Sequence, residues 1–133
     1  MSKKKVGVIV VPPGAIVDKH EKLAVDFIAV ERGVDITFLV PDRRKGQKTP
    51  DIEMSGRQWE IKSPKGKSSR TVENNIRQAL RQSPYIIIDL RRMDGRVPTR
   101  KYVAEAERQF TLTRSIKHLI VVTREEEVLD FTR

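Results

Sequence analysis

The sequence predicts an α/β fold, a mixed central β-sheet flanked by helices, built as a single domain over residues 1–133. Three observations predict it. Short apolar or alternating runs, with the period of a strand, are interleaved with three stretches whose apolar residues recur at helical spacing. The order along the chain is β-α-β-β-β-α-β-α-β-β, with no repeat and no linker to divide it. At 133 residues and 38% hydrophobic content, the chain is long and apolar enough for one core.

Residues 5–11, KVGVIVV, read as a buried strand. The basic start and short apolar run, ended by PPG, fit a strand better than a signal peptide. DKHEKLAVDFIAVERG then reads as a helix. Asp18 and Glu21 form a capping pattern, and Leu23, Ala24, Phe27, Ile28 and Val30 make its apolar stripe. Gly33 is placed to end it. VDITFLV alternates Val34, Ile36, Phe38 and Val40 on one strand face. PDRRKGQK is a basic loop, and TPDIEMSGRQWEIK is a hairpin. SRTVENNIRQALRQ is a helix with Val72, Ile76, Ala79 and Leu80 inward, stopped at Ser83-Pro84. YIIIDL, nearly all apolar, suits a central strand covered on both faces. A loop, RRMDGRVP, leads to a third helix over 99–110 with Tyr102, Val103, Ala106 and Phe110 inward. HLIVVT and EVLDF close the sheet as strands.

The charge narrows the function classes. Lys and Arg number 27 against 18 acids, a formal charge of +9, which points to a polyanionic partner, nucleic acid above all. No apolar run approaches the ~18 residues of a membrane span, so no membrane role is expected. With no cysteine and two histidines, thiolate and multi-histidine metal sites are excluded. A metal here would sit on carboxylates, as a hard ion such as magnesium or manganese.

The hairpin gathers the chemistry. A two-residue turn at Ser55-Gly56 pairs Met54 with Arg57, Glu53 with Gln58, Ile52 with Trp59 and Asp51 with Glu60. Directly opposed residues share a face. Ile52, Met54, Trp59 and Ile61 then face the core, while Asp51, Glu60 and Lys62 converge on the other side. Two like charges ~5 Å apart repel unless a cation lies between them. Opposed acids on a solvated hairpin, screened by a lysine, are the plain structural alternative.

Pro50-Asp51 followed by Glu60-Ile61-Lys62 resembles the PD-(D/E)xK nuclease superfamily, whose core order αβββαβ matches residues 18–90. More narrowly, KTPDIEMSGRQWEIKSPKG, the second helix and YIIIDLRR resemble the C-terminal tRNase domains of CdiA-type contact-dependent inhibition toxins. The resemblance implies a metal-dependent nuclease that cuts tRNA. Asp51, Glu60 and Lys62 would be its catalytic residues, and Asp51, Glu60 and the Ile61 backbone its metal ligands, for magnesium or manganese. It implies a cognate immunity protein, action in the cytoplasm of a target bacterium, and a delivery region outside this chain.

Glu21, Gln78, Gln82 and Arg91 are further candidates for the site, the first able merely to cap its helix and the glutamines merely to solvate theirs. Asp89, ending the buried strand, also approaches the cleft mouth. Three basic loops supply candidate nucleic-acid contacts: Arg43, Arg44, Lys45 and Lys48; Lys65, Lys67 and Arg70; and Arg92. Aromatics are scarce, which favours backbone and shape recognition of structured RNA. Three other functions fit the same residues. One is a DNA repair or restriction-type nuclease of this fold. Another is a metal-independent RNase of the barnase/colicin kind, using Lys62, His20 or His118, Thr113 and Arg114. The third is a binding module without catalysis.

Overall fold

The elements follow one another in the order read from the sequence: β1 (Ile9–Val10), α1 (Lys19–Arg32), β2 (Ile36–Phe38), β3 (Ile52–Met54), β4 (Arg57–Lys62), α2 (Ser69–Leu80), β5 (Tyr85–Asp89), α3 (Thr99–Leu112), β6 (His118–Val122) and β7 (Val128–Thr132). The structure, a computed structural model, describes residues 5–42, 44 and 49–133. The strands form one mixed sheet in chain order, β1 to β7. β2–β3, β3–β4 and β6–β7 pair antiparallel, and the other neighbours pair parallel.

Helices cover both faces. α1 buries Ala24, Val25 and Ile28 against Ile36, Ile52, Trp59, Ile61 and Ile87. α2 and α3 bury Val72, Ile76, Tyr102 and Ala106 against Ile86, Ile88, Leu119 and Val121. Successive residues of β5 thus enter opposite cores, which is why that strand must be apolar throughout.

The hairpin register matches the one read from its turn for three pairs, Ile52 with Trp59, Glu53 with Gln58 and Met54 with Arg57, but the expected Asp51–Glu60 pair falls beyond the ladder, because the Asp51 N–H bonds the Trp59 carbonyl instead. Both turn residues have positive φ, Ser55 at 54° and Gly56 at 74°, the requirement of a type I′ turn. Ser83 ties β4 to β5. Its buried hydroxyl donates to the Gln58 carbonyl at 2.6 Å and accepts from Tyr85 N–H at 3.0 Å.

Three further expectations need correction. β1 is a two-residue edge strand, not a buried one, and Val6, Val8, Val10 and Val11 are exposed because only β2 pairs with it. The buried stripe of α1 is Ala24, Val25, Ile28 and Ala29, whereas Leu23 and Val30 lie about half exposed. The small alanines let the helix approach the sheet more closely than a stripe of large residues would. Val40 is exposed because β2 stops at Phe38.

Candidate active site

Asp51 lies one residue before β3, where the hairpin ladder ends. Its N–H donates to Trp59 O at 3.0 Å, and its Oδ2 accepts from Ile61 N–H at 2.8 Å. The carboxylate stands where a backbone carbonyl would continue the ladder, so one residue is gripped twice by β4. Glu60 and Lys62 project to the α2 face of the same strand. Glu60 is only 8% exposed, and Lys62 Nζ lies 3.8 Å from its Oε2.

Glu21 enters from the first turn of α1. Asp18 caps that helix, its carboxylate accepting from His20 and Glu21 N–H groups. The Glu21 carboxyl shares a cavity with Asp51 and feels its charge. Burial first, and then the neighbouring acids, push Glu21 up to about 9. Burial and the Asp51 charge push Glu60 up to about 8, against the opposing pull of Lys62. Both carboxyls therefore hold a proton more tightly than ordinary surface acids do.

Together these side chains line a cavity of about 330 Å3, with His20, Asn75, Ser63 and Arg92 completing its wall. Three buried polar atoms facing this region, Glu60 Oε1, His20 Nδ1 and Ser63 Oγ, have no hydrogen-bond partner. Orphaned buried groups of this kind are uncommon and mark a place where a ligand, ion or water belongs. The donors are oxygens, with one imidazole, a set suited to a hard divalent ion. Among the described residues no three His, Asp or Glu side chains are disposed to hold one ion, so the backbone would have to contribute.

The other residues singled out by sequence divide. Arg92 lines the cavity and donates to Ser63 O at 2.8 Å. Lys65 and Lys67 line a neighbouring notch of about 380 Å3 that Arg92 shares. Arg70 is exposed on the first turn of α2. Arg44 is paired with Asp42 at 2.6 Å, and Arg43, Lys45 and Lys48 lie outside the described residues. Arg91 grips Asp89 at 2.8 Å, stacks 4.7 Å over Phe27 and donates to Leu23 O, bracing α1 outside the cavity.

Gln78 and Gln82 are not brought to the site. In the crossover from β4 to β5, α2 must run back against the strands, so its first half lies beside their C-terminal ends. Gln78 is exposed in its second half and Gln82 lies past its end. Asn75, one turn earlier, takes the place sequence reasoning gave them. Its position flanking the Val72–Ile76 stripe was the available signal. Of the metal-independent set, only Lys62 and His20 come together. His118 pairs with Asp130 at 2.8 Å in a different cavity, and Thr113 and Arg114 follow α3.

Residues 48–128 match the family described as contact-dependent growth inhibition CdiA C-terminal domain. The chain is also similar to a solved structure described as a CdiA-CT/CdiI toxin and immunity complex from Burkholderia pseudomallei, with a TM-score of 0.63. That likeness covers 96% of this chain and 100% of the other at 16% identity, and so concerns the fold. No match is found among curated proteins. Among the described residues no helix is long and apolar enough to cross a membrane.

Proposed function

The chain belongs to the contact-dependent growth inhibition CdiA C-terminal domain family, and from that premise we propose that it is a nuclease toxin domain that cuts tRNA with a divalent metal. One observation carries the reading. A single cavity collects Asp51, Glu60 and Lys62 and leaves Glu60 Oε1 buried without a partner. Solvated hairpin acids would have no such orphan.

Asp51 and Glu60 would hold magnesium or manganese, with the Ile61 carbonyl as a further ligand. A strand residue directs its N–H and C=O to the same side, and Ile61 N–H already turns to Asp51. Such an ion, when bound, would supply a water of lowered pKa and neutralise phosphate charge. Lys62 places its ammonium beside Glu60, where it stabilises charge developing on the scissile phosphate. Arg92, Lys65 and Lys67 hold the flanking backbone. Glu21 and His20 line the same cavity and would receive or return a proton.

The +9 charge and the likeness to a chain solved in a toxin–immunity complex support a cognate acidic immunity protein that covers the basic face. The domain then acts in the cytoplasm of a target bacterium, where tRNA lies. His20, its Nδ1 buried without a partner in the cavity that Lys62 also lines, favours a metal-independent RNase as the second reading.

Total tRNA incubated with the domain, with and without EDTA, separates the readings. The proposal expects EDTA-sensitive cuts at mapped positions. Cleavage in EDTA with 2′,3′-cyclic phosphate ends supports the second reading. Cleavage of DNA alone, or binding without cleavage, overturns both.

A further inference from the structure

The N-terminal ends of β4, β5 and β6 and the end of α1 enclose a second cavity of about 760 Å3. It shares no lining residue with the acid cavity. Trp59 and Glu60 are neighbours in β4, but strand alternation sends them to opposite faces of the sheet.

The wall of this cavity is aromatic. The Trp59 ring lies 5.5 Å from Tyr85 at 59° and 4.9 Å from His118 at 68°. Its rim is cationic, with Arg32, Arg57, Lys117 and Arg133 against one acid, Asp130. That acid is already engaged, accepting from Arg32 and pairing with His118 Nε2 at 2.8 Å. Arg133 donates to the carbonyls of Phe110, Thr113 and Ile116. Arg57 and Lys117 are different. Among the described residues neither joins an ion pair, and both are exposed, with the Arg57 guanidinium 5.3 Å from the centre of the Tyr85 ring.

We infer that this cavity binds a nucleotide, its base against Tyr85 and His118 and its phosphate on Arg57 and Lys117. The volume falls within the range of small-ligand sites, about 300–1,000 Å3. A base offers a flat π-face to an aromatic wall, and phosphate offers the anion that two uncompensated cations select. A carboxylate ligand would satisfy the cations and leave the rings unused. A neutral aromatic ligand would do the reverse. The nucleotide has two sources, a free nucleotide or an unpaired nucleotide of an RNA, and the test distinguishes them.

Trp59 is the only tryptophan of the chain, so its emission reports on this cavity. The full domain carrying Glu60→Gln, kept in EDTA to prevent cleavage, is titrated with AMP, GMP, CMP and UMP, and separately with a short unpaired oligoribonucleotide. A saturable change with a mononucleotide assigns the free ligand. A change with the oligonucleotide alone assigns an RNA nucleotide. In either case Arg57→Ala/Lys117→Ala weakens binding roughly tenfold or more, the cost of losing charged hydrogen bonds. Both residues are exposed, so the variant keeps its circular dichroism, and Arg57→Glu/Lys117→Glu checks the charge effect independently. No saturable change with any ligand, or equal binding by the double variant, overturns the proposal. So does a double variant that keeps the nucleotide response and loses only the immunity protein, since the cavity then belongs to a protein partner.

Discussion

The backbone N–H of Ile61 donates to Oδ2 of Asp51 at 2.8 Å, across ten positions of sequence. Asp51 therefore does not hang from a free strand end. Its carboxylate is tethered to the strand that carries Glu60 and Lys62, so the acids cannot drift apart to relieve their repulsion. Burial first, and then this repulsion, raises the proton affinity of Glu60 and Glu21.

Replacing Glu60 with Gln is expected to abolish tRNA cleavage, by at least about 100-fold, while the circular dichroism spectrum stays that of the parent. Gln fits the same space but cannot supply the negative charge that holds a divalent ion. Metal-free stability should hold or rise, because a buried acid beside Asp51 is removed. Parent-level cleavage by this variant removes the acid site from the mechanism.

Metal-free stability should fall as pH rises from about 5 to 9. Glu21 and Glu60 have folded-state values of about 9 and about 8, above the ordinary 4.5. The folded protein thus holds protons that the unfolded chain releases. Their stabilising effect is complete below about 4.5 and is lost as pH climbs through the folded values. Asp42 and Asp130 are shifted downward, so their contributions are lost on the acid side, outside this window. Thermal melts in EDTA should show a drop of a few degrees across the window. Magnesium or manganese should shrink it by binding the folded carboxylates, and Glu21→Gln/Glu60→Gln should flatten it. A parent melt that does not change with pH refutes the proton-holding cluster.

Lys65→Ala/Lys67→Ala should weaken nucleic-acid binding and lower the slope of log K against log salt by about 0.7–0.9 for each phosphate that is no longer neutralised. These lysines line the notch that Arg92 shares with the acid cavity, so the substrate backbone should cross them on its way to the site. An unchanged slope means that the nucleic acid runs elsewhere.

Ser83→Ala should destabilise the fold by about 1–3 kcal/mol in denaturant titration. The buried hydroxyl serves the Gln58 carbonyl and the Tyr85 N–H, and no other side chain replaces it there. Because Ser83 lies away from the acid cavity, cleavage per folded molecule should be unchanged. A loss below about 0.5 kcal/mol implies that water takes over both bonds.

The order of strands and helices was legible because local rules govern it. Apolar period separates strand from helix, Gly33 and Asp18 punctuate α1, and Ser55-Gly56 dictates a two-residue turn. Once that turn is known, strand geometry assigns Trp59 and Glu60 to opposite faces, and Asp51, Glu60 and Lys62 to the same side. Tertiary structure decided what depends on how elements meet. Leu23 and Val30 read as core in a helix considered alone, yet α1 docks through Ala24, Val25, Ile28 and Ala29 and leaves them about half exposed. Gln78 and Asn75 are equally polar on the same helix, and only the direction in which α2 crosses the sheet brings Asn75 to the acids. The meeting of Glu21 and Asp51 in one cavity and the joining of Trp59, Tyr85 and His118 into one wall likewise depend on packing between segments far apart in the chain. Such distances are set by the balance of burial and close packing over the whole core, which no local stretch of sequence contains.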